Sequence, residues 1–296
     1  GVGLPLHARA EETAGKPRKV AGAHKRLVIS CTVAAAIVKP ADNSGSRGVY
    51  LVDDICDSAK ILAAYEHSSK YSRSGDVVVE EYMQGPEVSV ETLTVDNVCH
   101  VIQITDKITT GAPHFVEMGH TQPSRLSEEV KQRIAQVAKD ANRAIGITNG
   151  PSHTEIIVTR EGPKIVELGA RLGGDCITTH LVPLSTGVNM VECCIKIALG
   201  EKPDIAKKFD KAAANRYFRH QSGVVSSISG VDQAQTIDGI KQISILCNVG
   251  DTIGEIDSSS TRVGFVIAQT DTTELAAAAC ERAIRQIKIE TDRTEA

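Results

Sequence analysis

The chain has 296 residues, 41% hydrophobic and 24% charged, with a formal net charge of −4, only 3% aromatics and no Trp. That length allows one large domain or two to three smaller ones with an ample core. The mildly acidic balance argues against a nucleic-acid binder, and the scarcity of aromatics argues against base-stacking platforms. None of the eight Cys forms a C-x-x-C pair, which fits reduced thiols and a cytoplasmic protein better than a disulfide framework or a zinc site. The longest apolar run, Leu27 to Val38, is too short to span a bilayer, so no membrane partner is expected. The basic stretch before it (Lys16, Arg18, Lys19, Lys25, Arg26) is too long for a signal-peptide n-region.

Residues 1 to about 26 show no clear period, and 1–36 reads as an irregular N-terminal segment; the chain opens on Gly, as a fragment or processed product would. Cys31 to Val38 is β-rich and runs into Lys39 and a Gly/Ser loop that holds Ser44, Gly45, Ser46 and Gly48, ahead of a strand at Tyr50 to Val52. Backbone N–H groups of such a loop can converge on an anion, although a simple hairpin turn explains the composition as well. Lys39 at the end of an apolar strand calls for a fixed partner. Asp54 to His67 reads as a helix capped by Asp53 or Asp54, with Ile55, Ala59, Leu62 and Ala63 on one stripe. Asp76 to Met83 is a strand that turns polar at Glu80, Glu81, Tyr82 and Met83 and is broken by Gln84-Gly85-Pro86. Glu87 to Val95 alternates as a second strand, and Asp96-Asn97 turns it into a third at Val98 to Thr105. Glu80, Glu81, Glu87 and Glu91 cluster around one break, either as exposed strand charges or as a site.

Lys107 to Ser124 has little period and holds Glu117 and His120, which read either as structural residues or as a ligand pair. Ser127 caps a helix from Glu128 to Ile145 that Gly146 stops, with Val130, Ile134, Val137, Ala141 and Ile145 as its core stripe. His153 to Asp175 (HTEIIVTREGPKIVELGARLGGD) reads as a β-hairpin followed by a Gly-rich segment. A three-residue loop, Arg160-Glu161-Gly162, with Gly162 at positive φ, sets Glu155 directly opposite Glu167. Two carboxylates facing at about 5 Å repel by roughly 3 kcal/mol at an effective dielectric near 20. Something positive is therefore expected between them, and a hard divalent cation such as Mg²⁺ suits carboxylates that also serve nucleotide phosphates. A solvated strand face, or a loop one residue longer, is the plainer alternative. Beyond lie a helix from Val188 to Leu199 closed by Gly200, and a boundary at Glu201-Lys202-Pro203-Asp204. Short strands follow (Gly223 to Ile228, Ile240 to Cys247, Arg262 to Gln269), then a last helix near Asp271 with Asp271 and Glu274 as its capping pair.

Together these stretches resemble the ATP-grasp superfamily of carboxylate–amine ligases, from about Ile37 to about Pro203 in consistent order. The branch most resembled contains the L-amino-acid ligases that make dipeptides. The resemblance implies an α+β fold in which two α+β subdomains with mainly antiparallel sheets clasp ATP. It divides the chain into an irregular segment (1–36), a lid subdomain (37–82), a large subdomain with the Mg–nucleotide site (83–203) and a small C-terminal α+β lobe (204–296). It implies ATP and Mg²⁺ (or Mn²⁺) as cofactors and a small-molecule carboxylate and amine as substrates. By position, Lys39 and the Ser44, Gly45, Ser46 and Gly48 loop correspond to the parts that contact and cover the phosphates. Glu80, Glu81, Tyr82 and Met83 match the hinge that holds adenine through main-chain groups, and Glu87 matches the acid on the ribose. Glu155 and Glu167 match the two metal-binding acids, Arg171 the arginine that neutralises the transferred phosphoryl group, and Glu117 and His120 positions that face the amino acid. Gly169 stands where the family often has a metal-binding Asn. The family normally carries an N-terminal α/β domain, so the resemblance also implies a missing domain or subunit, or a homodimer. The enzyme expected is an ATP-dependent carbon–nitrogen ligase. The alternatives are a non-catalytic ATP-binding module and an enzyme like the carbamoyl-phosphate synthases or biotin carboxylases.

Overall fold

The computed structural model describes residues 34–292, so most of the irregular N-terminal segment, with its basic stretch and Cys31, lies outside the described residues. The chain divides into two compact units. The smaller comprises the described residues up to Met83 together with Thr110–Val116 and Asp257–Ser259; the larger comprises Gln84–Thr109, Glu117–Ile256 and the residues from Ser260 on.

In the smaller unit, β1 (Ala36–Pro40) is the centre of a three-stranded antiparallel sheet, between β2 (Tyr50–Val52) and β3 (Val77–Glu81). Alternation along β1 turns Ala36 and Val38 inward, where they pack with Val52, Ile55 and Ala64. Helix α1 (Ser58–Ser69) covers this face, and it starts later than Asp53 or Asp54 would place it. Its cap is Asp57, whose carboxylate accepts from the N–H of Ala59 at 2.9 Å. Asp54 is spent on a local turn, accepting from the Cys56 N–H at 2.9 Å, and Asp53 pairs with Lys60 at 2.6 Å. Buried Ala64 and Ser68 replace the stripe expected from Leu62, which is exposed.

The larger unit is built on an eight-stranded sheet. Its order is β11 (Ile240–Ile245), β13 (Gly264–Thr270), β9 (Ala212–Tyr217), β6 (Glu117–Gln122), β5 (Val98–Thr109), β4 (Glu87–Val95), β7 (Gly150–Thr159) and β8 (Gly162–Gly169), every pair antiparallel. Strand β5 runs on to Thr109, and Glu117 to Gln122 is a strand of its own, so half of the stretch with little period is sheet. One face is apolar: Val88, Val90, Ile104 and Ile156 pack against Ile134 and Ala138 of α2 (Glu128–Ala144), which Ser127 caps. Ile145, expected in that core stripe, sits at the helix end and is exposed. On the other face Leu93 packs with Val182 of α3 (Val182–Thr186) and with Met190 and Cys193 of α4 (Met190–Ala198). Leu93 therefore points away from Val88 and Val90, as its odd spacing from them requires.

Pairing of β9 with β6 carries this sheet across the boundary read at Pro203-Asp204. Residues beyond it also build a core of their own, in which β9 and β13 pack against Ala276, Ala279, Cys280 and Ala283 of α6 (Thr273–Gln286). A short helix, α5 (Val231–Gln235), packs on α6. A three-stranded sheet of β10 (Gly223–Ser229), β12 (Thr252–Ile253) and β14 (Lys288–Asp292) completes the unit. Helix α6 is capped by Thr272, whose hydroxyl accepts from the Leu275 N–H at 3.3 Å; Asp271, expected in that role, pairs with Lys211 instead. Among the described residues no single helix is long and apolar enough to cross a membrane, although the bent pair Ile177–Thr186 and Met190–Ala198 passes on length and composition together.

Candidate active site

In the smaller unit, Lys39 finds its fixed partner in Glu80, at 2.8 Å. Both lie on the face of β1 and β3 that turns away from the Ala36 and Val38 core, because Ile37 pairs with Glu80 and Lys39 with Val78. The Tyr82 N–H donates to the Ala35 carbonyl at 3.2 Å, so by alternation the main-chain groups of Glu81 face away from β1, along the outer edge of the sheet. The Tyr82 ring lies 6.1 Å from that of Phe115, and the loop after Lys39 is tied to the same residue, since the Ser46 hydroxyl donates to the Phe115 carbonyl at 3.0 Å. In that loop Gly45, Ser46 and Gly48 all take positive φ, and a side chain at Gly48 would collide with Tyr71 and Pro40.

In the larger unit, the sheet face opposite α2 becomes polar toward one end. Along β4, Leu93 gives way to Glu91, Ser89 and Glu87, and ladder register brings His153 and Glu155 of β7 beside Glu91 and Ser89. Glu155 does stand directly opposite Glu167, though by another route than a three-residue loop. Thr159 pairs with Gly162, which leaves a two-residue turn that alone would set Glu155 against Val166. An irregularity that skips Val166 restores the pairing with Glu167. Gly162 takes a positive φ, and a side chain there would meet the Arg133 guanidinium.

The positive charge that Glu155 demands is present as Lys107 of β5. Its ammonium lies 2.6 Å from Glu87, 3.0 Å from Glu155 and 3.6 Å from Glu117, with the side chain only 3% exposed. Burial works against that charge, but Glu155, Glu87 and Glu117 outweigh it and hold the ammonium well above its ordinary range. Burial also raises Glu87, against the pull of Lys107. Glu155 is held far below its usual range despite its burial, because Lys107 and His153 both face it. His153 bridges Glu91 (2.6 Å) and Glu155 (3.3 Å); burial opposes its charge, and these two acids overcome that and raise it to about 10. Gly173 closes over this pair so tightly that a Cβ would lie 2.7 Å from both the Glu91 carboxylate and the His153 ring. Arg171 itself is exposed, donating to the Leu172 carbonyl at 3.1 Å.

A second network holds the segment that follows Arg171. Arg262 donates to both carboxylate oxygens of Asp175 (2.8 and 2.7 Å) and to the Glu117 carbonyl (2.9 Å), and stacks on the Tyr217 ring at 3.7 Å. Asn215 donates to the Asp175 carbonyl at 2.8 Å, and its oxygen accepts from the His120 main chain at 2.7 Å and lies 3.1 Å from His120 Nδ1. Burial lowers His120 to about 4, so at neutral pH its ring is uncharged and Nδ1–H donates to Asn215. Lys107, His153, Asp175, Asn215 and Arg262 were all passed over in the sequence reading, whereas Glu91 was noted there among the acids clustered around one break. Only Lys107 carried a local signal, as a lone cation inside the strand pattern Gln103, Thr105, Lys107; the others depend on which strands become neighbours.

Within the larger unit the structure thus gathers Glu87, Glu117, His120, Glu155 and Glu167 on one sheet face. Among the described residues no group of three or more His, Cys, Asp or Glu is arranged to hold a metal ion by itself. The donor set nevertheless suits Mg²⁺ that arrives with phosphate oxygens, which needs only one or two protein carboxylates. Glu167, which makes no ion pair with the described residues, and Glu155 across from it are such a pair.

A model of the ATP-grasp domain matches residues 32–179, half of the chain. The chain belongs to the ATP-grasp family. A second model, L-amino acid ligase C-terminal domain 2, matches residues 216–292 of this ATP-grasp chain. The solved L-amino acid ligase from Bacillus licheniformis superposes with a TM-score of 0.75 at 25% identity, over 90% of this chain and 65% of that one. The L-arginine-specific L-amino acid ligase of Bacillus subtilis is 23% identical over 231 residues, 76% of this chain and 55% of the relative. An uncharacterised protein of Sinorhizobium fredii is 30% identical over 85% of this chain and 52% of its own length. The chain therefore spans about half the length of the curated relatives it matches.

Proposed function

We propose that this ATP-grasp chain serves an ATP- and Mg²⁺-dependent ligase that activates a carboxylate, an amino acid by preference, as an acyl-phosphate for attack by an amine. The observation that carries the reading is the facing pair Glu155 and Glu167 on a polar sheet face. A carboxylate is a poor electrophile, and phosphoryl transfer to it asks the protein mainly for positioning and charge neutralisation. When bound at Glu155 and Glu167, Mg²⁺ supplies the charge that neutralises the triphosphate. In the smaller unit, Lys39 and the Ser44, Gly45, Ser46 and Gly48 loop contact and cover the phosphates, and the main chain of Glu80 to Met83 takes adenine. In the larger unit, Glu87 accepts the ribose hydroxyls, Arg171 neutralises the transferring phosphoryl group, and Glu117 and His120 face the amino acid. An uncharged His120 suits that place, because it leaves Nε2 able to accept a hydrogen bond.

Phosphate release from ATP with Mg²⁺, across a panel of amino acids, tests the reading. Amino-acid-dependent release that Glu167→Gln abolishes is the expected result. Nucleotide binding without turnover supports a non-catalytic module that another chain or domain completes, and release that depends on bicarbonate supports a carboxylase-like enzyme. The absence of ATP binding by the intact chain defeats all three.

A further inference from the structure

His120 of β6 and Asn215 of β9 stand directly opposite one another in the ladder, and both are buried. Each end of the Asn215 amide meets a main-chain group with only one possible role. The His120 main-chain N–H can only donate, so the amide atom 2.7 Å from it is the oxygen. The Asp175 carbonyl can only accept, so the amide atom 2.8 Å from it is the nitrogen. The orientation of the amide is thus settled without reference to the imidazole. The same oxygen lies 3.1 Å from His120 Nδ1, and two bare acceptors would repel at that distance, so the ring proton sits on Nδ1. Nε2 makes no hydrogen bond with the described residues, yet it is not among the sealed, unpaired atoms, which are Ser89 Oγ, Glu91 Oε2, Thr154 Oγ1 and His220 Nδ1. The ring therefore presents an acceptor on its open side, and a group that meets it there has to be a donor.

We infer that Asn215 is a positioning residue for substrate binding: its amide holds His120 as the Nδ1–H tautomer and so makes Nε2 an acceptor for a donor group of the amino acid. The inference rests on the reading above, in which His120 faces that substrate. A side-chain amide offers an acceptor to two N–H groups on one side and a donor to a carbonyl on the other, which neither a carboxylate nor an apolar group does. Asp175, Lys107 and Glu117 lie near enough to bias the charge of the ring, but neither ring nitrogen bonds to them. Arg216 donates to the His120 carbonyl at 2.9 Å and leaves the imidazole alone. The same amide also fastens the segment that follows Arg171. Asp175 sits at a φ of 50°, held there by Asn215 on its carbonyl and Arg262 on its carboxylate. A change at Asn215 loosens that segment too, so a decisive measurement reads the ring itself.

The test is nitrogen-15 NMR of the intact chain, labelled in its histidine rings, at pH 7 and without nucleotide, with His120 assigned by its loss in His120→Gln. The wild-type ring is expected to carry its proton on Nδ1 and to show a bare Nε2. In Asn215→Leu, which fills the space but has no polar atom, the ring should lose this preference and populate both tautomers. A wild-type ring protonated on Nε2 overturns the inference, as does an N215L ring with the wild-type tautomer. If N215L does not fold, Asn215→Ala, which leaves room for water to answer the two N–H groups, carries the same comparison. Steady-state phosphate release supplies the second readout, with the amino acid that the wild type turns over. The variant should raise KM for that amino acid roughly 10-fold, the worth of about one hydrogen bond, and leave KM for ATP within about twofold. A variant whose tautomer shifts while both KM values stay put overturns the positioning role. The spectrum needs no turnover: a wild type that releases no phosphate with any amino acid defeats the ligase reading, while the tautomer still stands or falls by its own signal.

Discussion

Glu155 and Glu167 face one another yet carry different burdens. Glu155 neutralises Lys107 and His153, whereas Glu167 makes no ion pair with the described residues. Glu167→Gln should therefore leave the melting temperature nearly unchanged while lowering nucleotide-dependent turnover by roughly 100-fold or more. Glu155→Gln should do both, costing about 2 kcal/mol of stability because two buried cations lose a partner; urea unfolding of the two variants separates these outcomes. His120 sets a pH dependence of stability. Its ordinary value of 6.5 applies in the unfolded chain and about 4 in the folded one, so between those values the unfolded chain binds more protons. Stability should rise with pH across that window and level off above it, by roughly 3 kcal/mol from this residue. Urea midpoints at pH 5 and pH 7 should differ less in His120→Gln than in the wild type.

Elements show how far local pattern reaches. Helix α2 was read with its cap and its stop, because Ser127, two acids and Gly146 bracket a strong amphipathic period. Helices α1 and α6 were each given a cap too early, since an acid near a helix start can as well serve a local turn or an ion pair. Thr272→Ala should accordingly cost about 1 kcal/mol in a thermal melt and Asp271→Ala very little. The central hairpin is more instructive. Its facing acids were anticipated from a three-residue loop, and the ladder instead uses two turn residues with Val166 left out. Loop and irregularity each add one residue to the same strand, so the register is the same past Val166 while the turn differs.

At the scale of the molecule, residues beyond Pro203 supply β9, β11 and β13 to the sheet that carries the acid face. They also supply Asn215 to His120 and Arg262 to Asp175. A chain ending at Pro203 should therefore expose the edge of β6, lose both partners and aggregate; solubility and circular dichroism of the truncated chain check this. Short motifs made the ATP-grasp resemblance and most of the candidate acids legible, because alternation and turn residues decide locally which side chains share a strand face. The sequence by itself determined that Glu87, Glu91, Glu155 and Glu167 lie near breaks and turns of polar strands, and that the charge of some facing acids had to be answered. Which group answers it was decided by tertiary structure alone. Lys107 reaches Glu87, Glu117 and Glu155 only once β5 lies between β4 and β6 with β7 beyond, and strand order over such separations is fixed by burial of the whole sheet rather than by any local run of residues.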